Sequence, residues 1–495
     1  LNGILMSNYL RHMFLRRVFH LTITLVGATL SSAQDHVTPD QFEHTVESDV
    51  VYGIDTNYLG LTDTLLLDVY TPIGDQDDQR PLAVLVHGGS WLGGCKDDPN
   101  GIVRLAEQLV GRGYVVACVN YRLGWHKSGN VPGPVAGYPP SLWPEQYRAF
   151  YALDSAEIIR AIHRGMQDVK GAIRFMKARA DQDSVCTEKV FVGGESAGGF
   201  IALAVAFMDR AAERPVACGT LPSAPPPDEE VLNITGLNCI ERSFNPTGNM
   251  LDRPDLGSVD GDLNLNGHDA RVRGVANFFG GLPNEAFTQD WLQGVDTPLV
   301  HLYHQSCDGV VLSGSGQPYT TISTYCNLGA TPWHDTYPFM HGSLAIAAYF
   351  ATLANPPSYI TDLTTCPAFD AGLALFECAR YADNGSYHYT AGLPQRAQLL
   401  AEQWASIASD PSICGSLDLP GISAATIRWF PVPCTDVLYI KGIKDGPVLV
   451  TDMLGRCELK RDLSNGQVDV KDLYPGSYVL RTANLDGSFR FVVGR

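Results

Sequence analysis

The residues Gly194-Glu195-Ser196-Ala197-Gly198 stand directly after the apolar run Val190-Phe191-Val192 and directly before the helix-forming stretch Phe200-Ile201-Ala202-Leu203-Ala204. A strand that reverses this sharply into a helix crowds its own backbone and forces the residue at the apex into a strained conformation. Glycines two positions either side of the apex make the reversal feasible. The serine hydroxyl is then left exposed at the carboxyl end of a strand, which is the geometry of a nucleophile elbow.

A second strand points to the same chemistry. Pro81-Leu82-Ala83-Val84-Leu85-Val86 reads as a buried strand that runs into His87-Gly88-Gly89-Ser90-Trp91. Attack of a serine on an acyl carbon passes through a tetrahedral oxyanion, and each backbone N–H aimed at that oxygen contributes on the order of 3 kcal/mol. Gly88 and Gly89 can offer such donors with no side chain in the way, and Ala197, next to the apex serine, supplies the remaining one. His87 is expected to order this loop rather than to act as a base.

With these motifs the chain resembles the α/β-hydrolase carboxylesterases, in the branch that shares features with bacterial carboxylesterases, the hormone-sensitive-lipase group and the feruloyl esterases. The resemblance spans roughly residues 45–350 and includes Leu67-Asp68-Val69-Tyr70-Thr71-Pro72, Tyr114 to Arg122 and Gln167-Asp168-Val169-Lys170. Gly-Glu-Ser-Ala-Gly-Gly is the form favoured by type B carboxylesterases, whereas His-Gly-Gly-Ser-Trp departs from their usual His-Gly-Gly-Gly. The implied fold is α/β, a mostly parallel sheet flanked by helices with the site at the carboxyl ends of the strands. The implied triad runs serine, acid, histidine along the chain.

Downstream of Ser196, the run Thr297 to His304 is β-rich and leads into Gln305-Ser306-Cys307-Asp308-Gly309-Val310-Val311. This looks like the family's acid loop, with Asp308 as the acid. Asp296 precedes the strand and is the poorer choice. His341, followed by Gly342 and the helical stretch Ser343 to Phe350, fits a base on the last loop before a closing helix, and His334 is its competitor. The expected activity is that of a serine carboxylesterase working through an acyl-enzyme on short acyl, acetyl, feruloyl or polyester-type esters. No cofactor or metal is expected, because the chain has no HExxH, no CxxC pair and no histidines at ligand spacing. Asp262 to Asp269 imitates the start of a calcium loop, but its twelfth position is Arg273. A serine amidase or peptidase shares the triad, and a catalytically silent binding protein of the same fold normally lacks one member of it.

Arg16 and Arg17, the apolar stretch Val18 to Leu30, and Ser31-Ser32-Ala33 read as a secretory signal. The stretch is shorter than the roughly 20 apolar residues a membrane span needs, and no transmembrane segment is expected. Twelve cysteines suit an oxidising compartment, without revealing their pairing. Short alternating strands from Ile427 onward imply a small β-sandwich. That region resembles a type IX secretion C-terminal sorting domain, through Pro431 to Pro433, Asp452 to Gly455 and Leu473 to Tyr478. The resemblance implies a secreted or surface-attached enzyme that engages the type IX machinery. The expected divisions are 1–33 signal peptide with upstream residues, 34–355 hydrolase domain, 356–426 helical extension and linker, and 427–495 sorting domain.

A net charge of -18 makes nucleic acid an unsuitable partner. The partner is instead a small-molecule or polymeric ester. Trp91, Trp125 and Trp143, the last two in or beside a Pro- and aromatic-rich insertion, are the candidate substrate contacts.

Overall fold

The computed structural model describes residues 34–128, 150–225, 249–292, 297–326, 332–414, 428–430, 434–441, 446–452, 457–482 and 485–494. The expected signal segment 1–33 lies outside the described residues. Eight strands form the main sheet: β1 (Glu43–Thr56), β2 (Thr62–Ile73), β3 (Arg80–Val86), β4 (Val115–Val119), β5 (Val185–Glu195), β6 (Gly274–Phe278), β7 (Leu299–Gln305) and β8 (Tyr359–Thr364). Their spatial order is β1-β2-β4-β3-β5-β6-β7-β8. β2 runs antiparallel to β1 and to β4, and every pairing from β4 onward is parallel.

Parallel strands covered on both faces read as unbroken apolar runs, and β3 and β4 are buried at every position. The two-residue period of a strand then sorts their side chains onto two cores. Leu82, Val84 and Val86 pack with Ile158 and Ile162 of α2 (Ser155–Ala178) and Phe200 and Ile201 of α3 (Ala197–Phe207). Ala83 and Leu85 point the other way, toward Leu105 and Leu109 of α1 (Val103–Val110) and Leu400 and Trp404 of α6 (Leu393–Ala408). Two shorter helices, α4 (Ser343–Phe350) and α5 (Ala374–Asp383), flank β8 in the chain. Cys118 on β4 is buried and unbridged, a small apolar filler on the α1 side.

The expected boundary at 355 falls before the sheet is complete. β8 pairs with β7 from Val300↔Tyr359 to Gln305↔Thr364, and α6 covers the sheet with Trp404 stacked on Phe191 at 4.5 Å. Cys414 is bridged to Cys186 at the start of β5. The stretch expected to be an extension and linker therefore supplies the last strand and one helical face of the hydrolase body.

Residues 428–494 form two small sheets. One holds Arg428–Phe430, Val437–Lys441 and Gln467–Asp469; the other holds Gly446–Asp452, Cys457–Leu463, Gly476–Thr482 and Leu485–Val493. Leu438 and Val468 from the first share one apolar core with Val450, Leu480 and Phe491 from the second, the sandwich arrangement expected from the alternating pattern. Among the described residues no helix is long and apolar enough to cross a membrane.

Candidate active site

β5 ends at Glu195 and α3 begins at Ala197, so Ser196 alone makes the reversal, at φ +53° and ψ -122°. A Cβ on Gly194 would lie 2.2 Å from the Gly198 carbonyl oxygen, and one on Gly198 would lie 2.2 Å from that of Val86. No side chain fits at either place, which is why glycine brackets the serine. The Ser196 N–H donates to Phe278 O at 2.9 Å and ties the apex to the end of β6.

Opposite the serine hydroxyl stands His388, with Nε2 2.6 Å from Ser196 Oγ. Its Nδ1 is 2.8 Å from Asp308 Oδ2. Oδ1 of the same carboxylate accepts the N–H groups of Val310 and Val311 at 2.8 and 2.9 Å. A second imidazole, His304, places Nε2 3.4 Å from Oδ2. Burial opposes ionisation of Asp308, but the two imidazoles and their hydrogen bonds outweigh it and hold the carboxyl below its ordinary range.

The expectations for Ser196 and Asp308 thus meet in space, and that for His341 does not. His341 Nδ1 is 2.8 Å from Ser315 Oγ, its Nε2 is 3.3 Å from Asn284 Oδ1, and its ring lies on Phe287 at 4.2 Å. It sits on the short strand Met340–Gly342, which pairs with Gly281–Pro283. The physical reason is connectivity: His341 precedes β8, whereas the histidine facing the elbow is carried by the loop after it. His334 is likewise elsewhere, beside Asp335 at 3.3 Å.

Sequence reasoning missed His388 because the residues around it form no motif: Gly385–Tyr387 is a single turn of 3₁₀ helix with Ser386 at φ +57°. One signal was available. His388 is the last histidine in the chain and the only one beyond β8. Tertiary contacts hold its turn: Gly309 N–H donates to Ser386 O at 2.9 Å and Gln305 Nε2 to Tyr389 O at 2.9 Å. Two disulfides, Cys307–Cys366 and Cys326–Cys378, fasten the stretch between β8 and this turn to the Asp308 loop and its neighbourhood.

Gly88 lies against the elbow, with the place of its missing Cβ 3.1 Å from Ser196 Cβ. Gly89 has φ +114°, and a Cβ there would lie 2.1 Å from Gly93 O. Among the described residues the N–H groups of Gly88, Gly89 and Ala197 have no protein acceptor. His87 donates from Nδ1 to Gly88 O at 2.7 Å and stacks on Tyr121 at 4.5 Å. Burial brings its pKa down to about 4, so it is a neutral brace for the loop, as its position in the motif suggested.

A cleft of about 630 Å³ opens over the serine. Its lining includes the apolar side chains of Phe150, Val310, Ile322 and Trp333 and the polar ones of Asp98, Asn100, Arg104 and Glu195. Burial, reinforced by Asp98, pushes the Glu195 carboxyl up to about 7. Two of the candidate substrate contacts are corrected. Trp91 packs edge-on against Phe200 and Trp125, and Trp125 against Tyr337, both rings buried in the core and neither lining the cleft. A large apolar ring next to a motif is as well suited to core packing as to a ligand, and here packing takes both. Trp143 lies outside the described residues. Among the described residues no group of three His, Cys, Asp or Glu side chains could hold a metal ion.

A family model described as alpha/beta hydrolase fold matches residues 161–252, and one described as BD-FAE matches residues 67–135. The chain has an α/β-hydrolase fold, a mostly parallel sheet flanked by helices. Solved structures similar to it include a truncated carbohydrate esterase from gut microbiota, at 14% identity and TM-score 0.37, covering 75% of this chain and 98% of that one. Another is the propionate-bound esterase Est2 of the Planctomycetes species Thermogutta terrifontis, at 17% identity and TM-score 0.34, covering 74% and 94%. A third is esterase B of Lactobacillus rhamnosis inhibited by a tributyrin phosphonate, at 14% identity and TM-score 0.34, covering 82% and 97%. No curated protein matches the chain.

Proposed function

We propose that this chain is a serine carboxylesterase in which Ser196 is the nucleophile, His388 the general base and Asp308 the acid. One observation carries the reading: a continuous line from Ser196 Oγ to His388 Nε2 at 2.6 Å and from His388 Nδ1 to Asp308 Oδ2 at 2.8 Å. A serine hydroxyl is a weak nucleophile, so His388 takes its proton as Oγ adds to the ester carbonyl carbon. Asp308 keeps the proton on Nδ1 and stabilises the imidazolium that forms. The carbonyl oxygen, now negative, is received by the N–H groups of Gly88, Gly89 and Ala197. The tetrahedral species then collapses: His388 returns the proton to the departing alkoxide, the C–O bond breaks and the acyl group stays on Ser196. Water, deprotonated by the same imidazole, releases the carboxylic acid and restores the serine.

The cleft of about 630 Å³, lined by both apolar and polar side chains, suits an ester with a small acyl or aryl group and a polar alcohol. Short acyl, acetyl and feruloyl esters fit this description, and polyester-type substrates are the larger case. A panel of p-nitrophenyl esters of increasing chain length, with methyl ferulate, a polyester and an aminoacyl anilide, tests the reading on wild type and Ser196→Ala. Hydrolysis of the short esters that Ser196→Ala abolishes supports it. Preferential cleavage of the anilide indicates an amidase, and ester hydrolysis that survives Ser196→Ala refutes the proposal.

Export belongs to the same reading. The disulfides Cys186–Cys414, Cys307–Cys366 and Cys326–Cys378 need an oxidising compartment, and the β-sandwich at 428–494 is offered as the sorting element for type IX secretion. Deleting residues 427–495 should retain the enzyme in the producing cell. Undiminished release would remove that role from the sandwich.

A further inference from the structure

Ser90 replaces the third glycine of the more usual His-Gly-Gly-Gly loop, and its backbone conformation is one that serine rarely adopts. Gly89, Ser90 and Trp91 follow one another at φ +114°, +54° and +58°. The latter two carry side chains, and such a conformation persists only where its surroundings over-determine it. Here they do. Leu92 and Gly93 N–H groups close on Gly89 O at 2.9 and 3.1 Å, and Gly124 N–H donates to Trp91 O at 2.7 Å. The Ser90 hydroxyl makes a hydrogen bond to the phenol of Tyr319, and both residues line the cleft.

Tyr319 is itself held in the left-handed region, at φ +66°. Its N–H donates to Val310 O at 2.6 Å, and its ring is packed among Phe150, Tyr337 and Trp333 at 5.2, 5.6 and 6.0 Å. Val310 in turn holds Asp308 through its own N–H. A run of direct contacts along the lining of the cleft therefore links the Asp308 loop to the loop that carries Gly88 and Gly89, by way of one phenol and one serine hydroxyl. Burial raises the ionisation of the phenol, so the proton this bond needs remains in place.

We propose that Tyr319 is a positioning residue that fixes the Gly88–Gly89 donor loop through Ser90. The proposal rests on the active-site reading above, and it assigns a use to the departure from His-Gly-Gly-Gly: the added hydroxyl anchors the loop where a glycine would leave it free. A loop fixed in this way matters more to the tetrahedral oxyanion than to the bound ester, so its loss is expected in kcat rather than in KM.

The test is a double-mutant cycle of Tyr319→Phe and Ser90→Ala, read by kcat and KM on p-nitrophenyl acetate and by backbone hydrogen exchange over residues 87–92. Each single variant should lower kcat about tenfold with KM within about twofold, and the double variant should be no worse than the singles, because both remove the same bond. Exchange in the loop should rise in all three variants and stay unchanged in Ser196→Ala. A double variant near a hundredfold, a single variant with unaltered kcat, or unaltered exchange in the loop overturns the proposal. A Tyr319→Phe loss much larger than that of Ser90→Ala also overturns it, since the phenol would then act on substrate directly. Raised exchange in a protein that hydrolyses no ester would keep the clamp and remove the active-site reading instead.

Discussion

The backbone N–H of Gly309 donates to the carbonyl of Ser386 at 2.9 Å, so the residue after Asp308 holds the turn that presents His388. Cys307, on the other side of Asp308, is bridged to Cys366. Asp308 and His388, 80 residues apart in the chain, thus meet through the contact of their side chains and through the backbone bond of their neighbours.

This arrangement separates two histidines by experiment. Replacing His388 with Ala should lower kcat/KM by about 10³-fold or more, the scale of losing the base of a triad. His341→Ala breaks contacts with Ser315, Asn284 and Phe287, none of which touches Ser196 or Asp308 in the hydrogen-bonded line, and should leave kcat/KM within a few-fold. Steady-state kinetics on a short p-nitrophenyl ester decides between them, and equal losses would show that the two side chains do not differ as their positions imply.

The contrast between these histidines also marks how far the sequence could be read. The elbow was legible because its constraint is local: Gly194 and Gly198 are demanded by carbonyl oxygens about 2 Å from where a Cβ would stand, within a few residues or on the neighbouring strand. Asp308 was legible because β7 is apolar enough to be recognised and the acid follows it directly. His388 was not, because its place is set by β8. That strand, Tyr359–Thr364, is an edge strand with only Asp362 buried, paired on one side alone, and its pattern does not announce a strand. Read without β8, the chain closes at α4, and His341 becomes the natural base. The tryptophans near the first loop were misread for a different reason: burial against Phe200 and Tyr337 is decided by α3 and a distant loop, and neither is visible in local sequence.

Trp125 provides a direct check of that correction. Its ring is fully buried, so Trp125→Ala should cost about 3–5 kcal/mol of stability, the range for deleting a large core aromatic. Since the ring lies away from the cleft, KM of the protein that remains folded should be close to wild type. Chemical denaturation and kinetics below the transition measure the two effects separately. A large rise in KM with unchanged stability would return Trp125 to the substrate pocket.

The bridge Cys307–Cys366 closes a loop of 59 residues and should be worth up to about 4 kcal/mol in the chain-entropy account. Because it adjoins Asp308, Cys307→Ser with Cys366→Ser should lower kcat as well as the thermal midpoint. Removing Cys186–Cys414, which is remote from the triad, should lower the midpoint while kcat is preserved at temperatures where the protein is folded. Identical kinetic profiles for the two variants would deny the first bridge any part in holding the site.

Glu195 gives a pH signature of opposite sign to the one usual for a carboxylate. Its pKa in the fold is about 7 against an ordinary 4.5, so the folded protein binds more protons than the unfolded chain between those values. Stability contributed by the protonated form is therefore fully present below about pH 4.5 and is lost as the pH rises through about 7. Glu195→Gln keeps the neutral shape and removes the titration. Relative to wild type, this variant should gain stability between pH 5 and pH 8, by at most about 3 kcal/mol at about 1.4 kcal/mol per pKa unit. Urea melts of both proteins across that range provide the measurement, and parallel stability curves would mean that the Glu195 carboxyl is ionised in the fold like any exposed one.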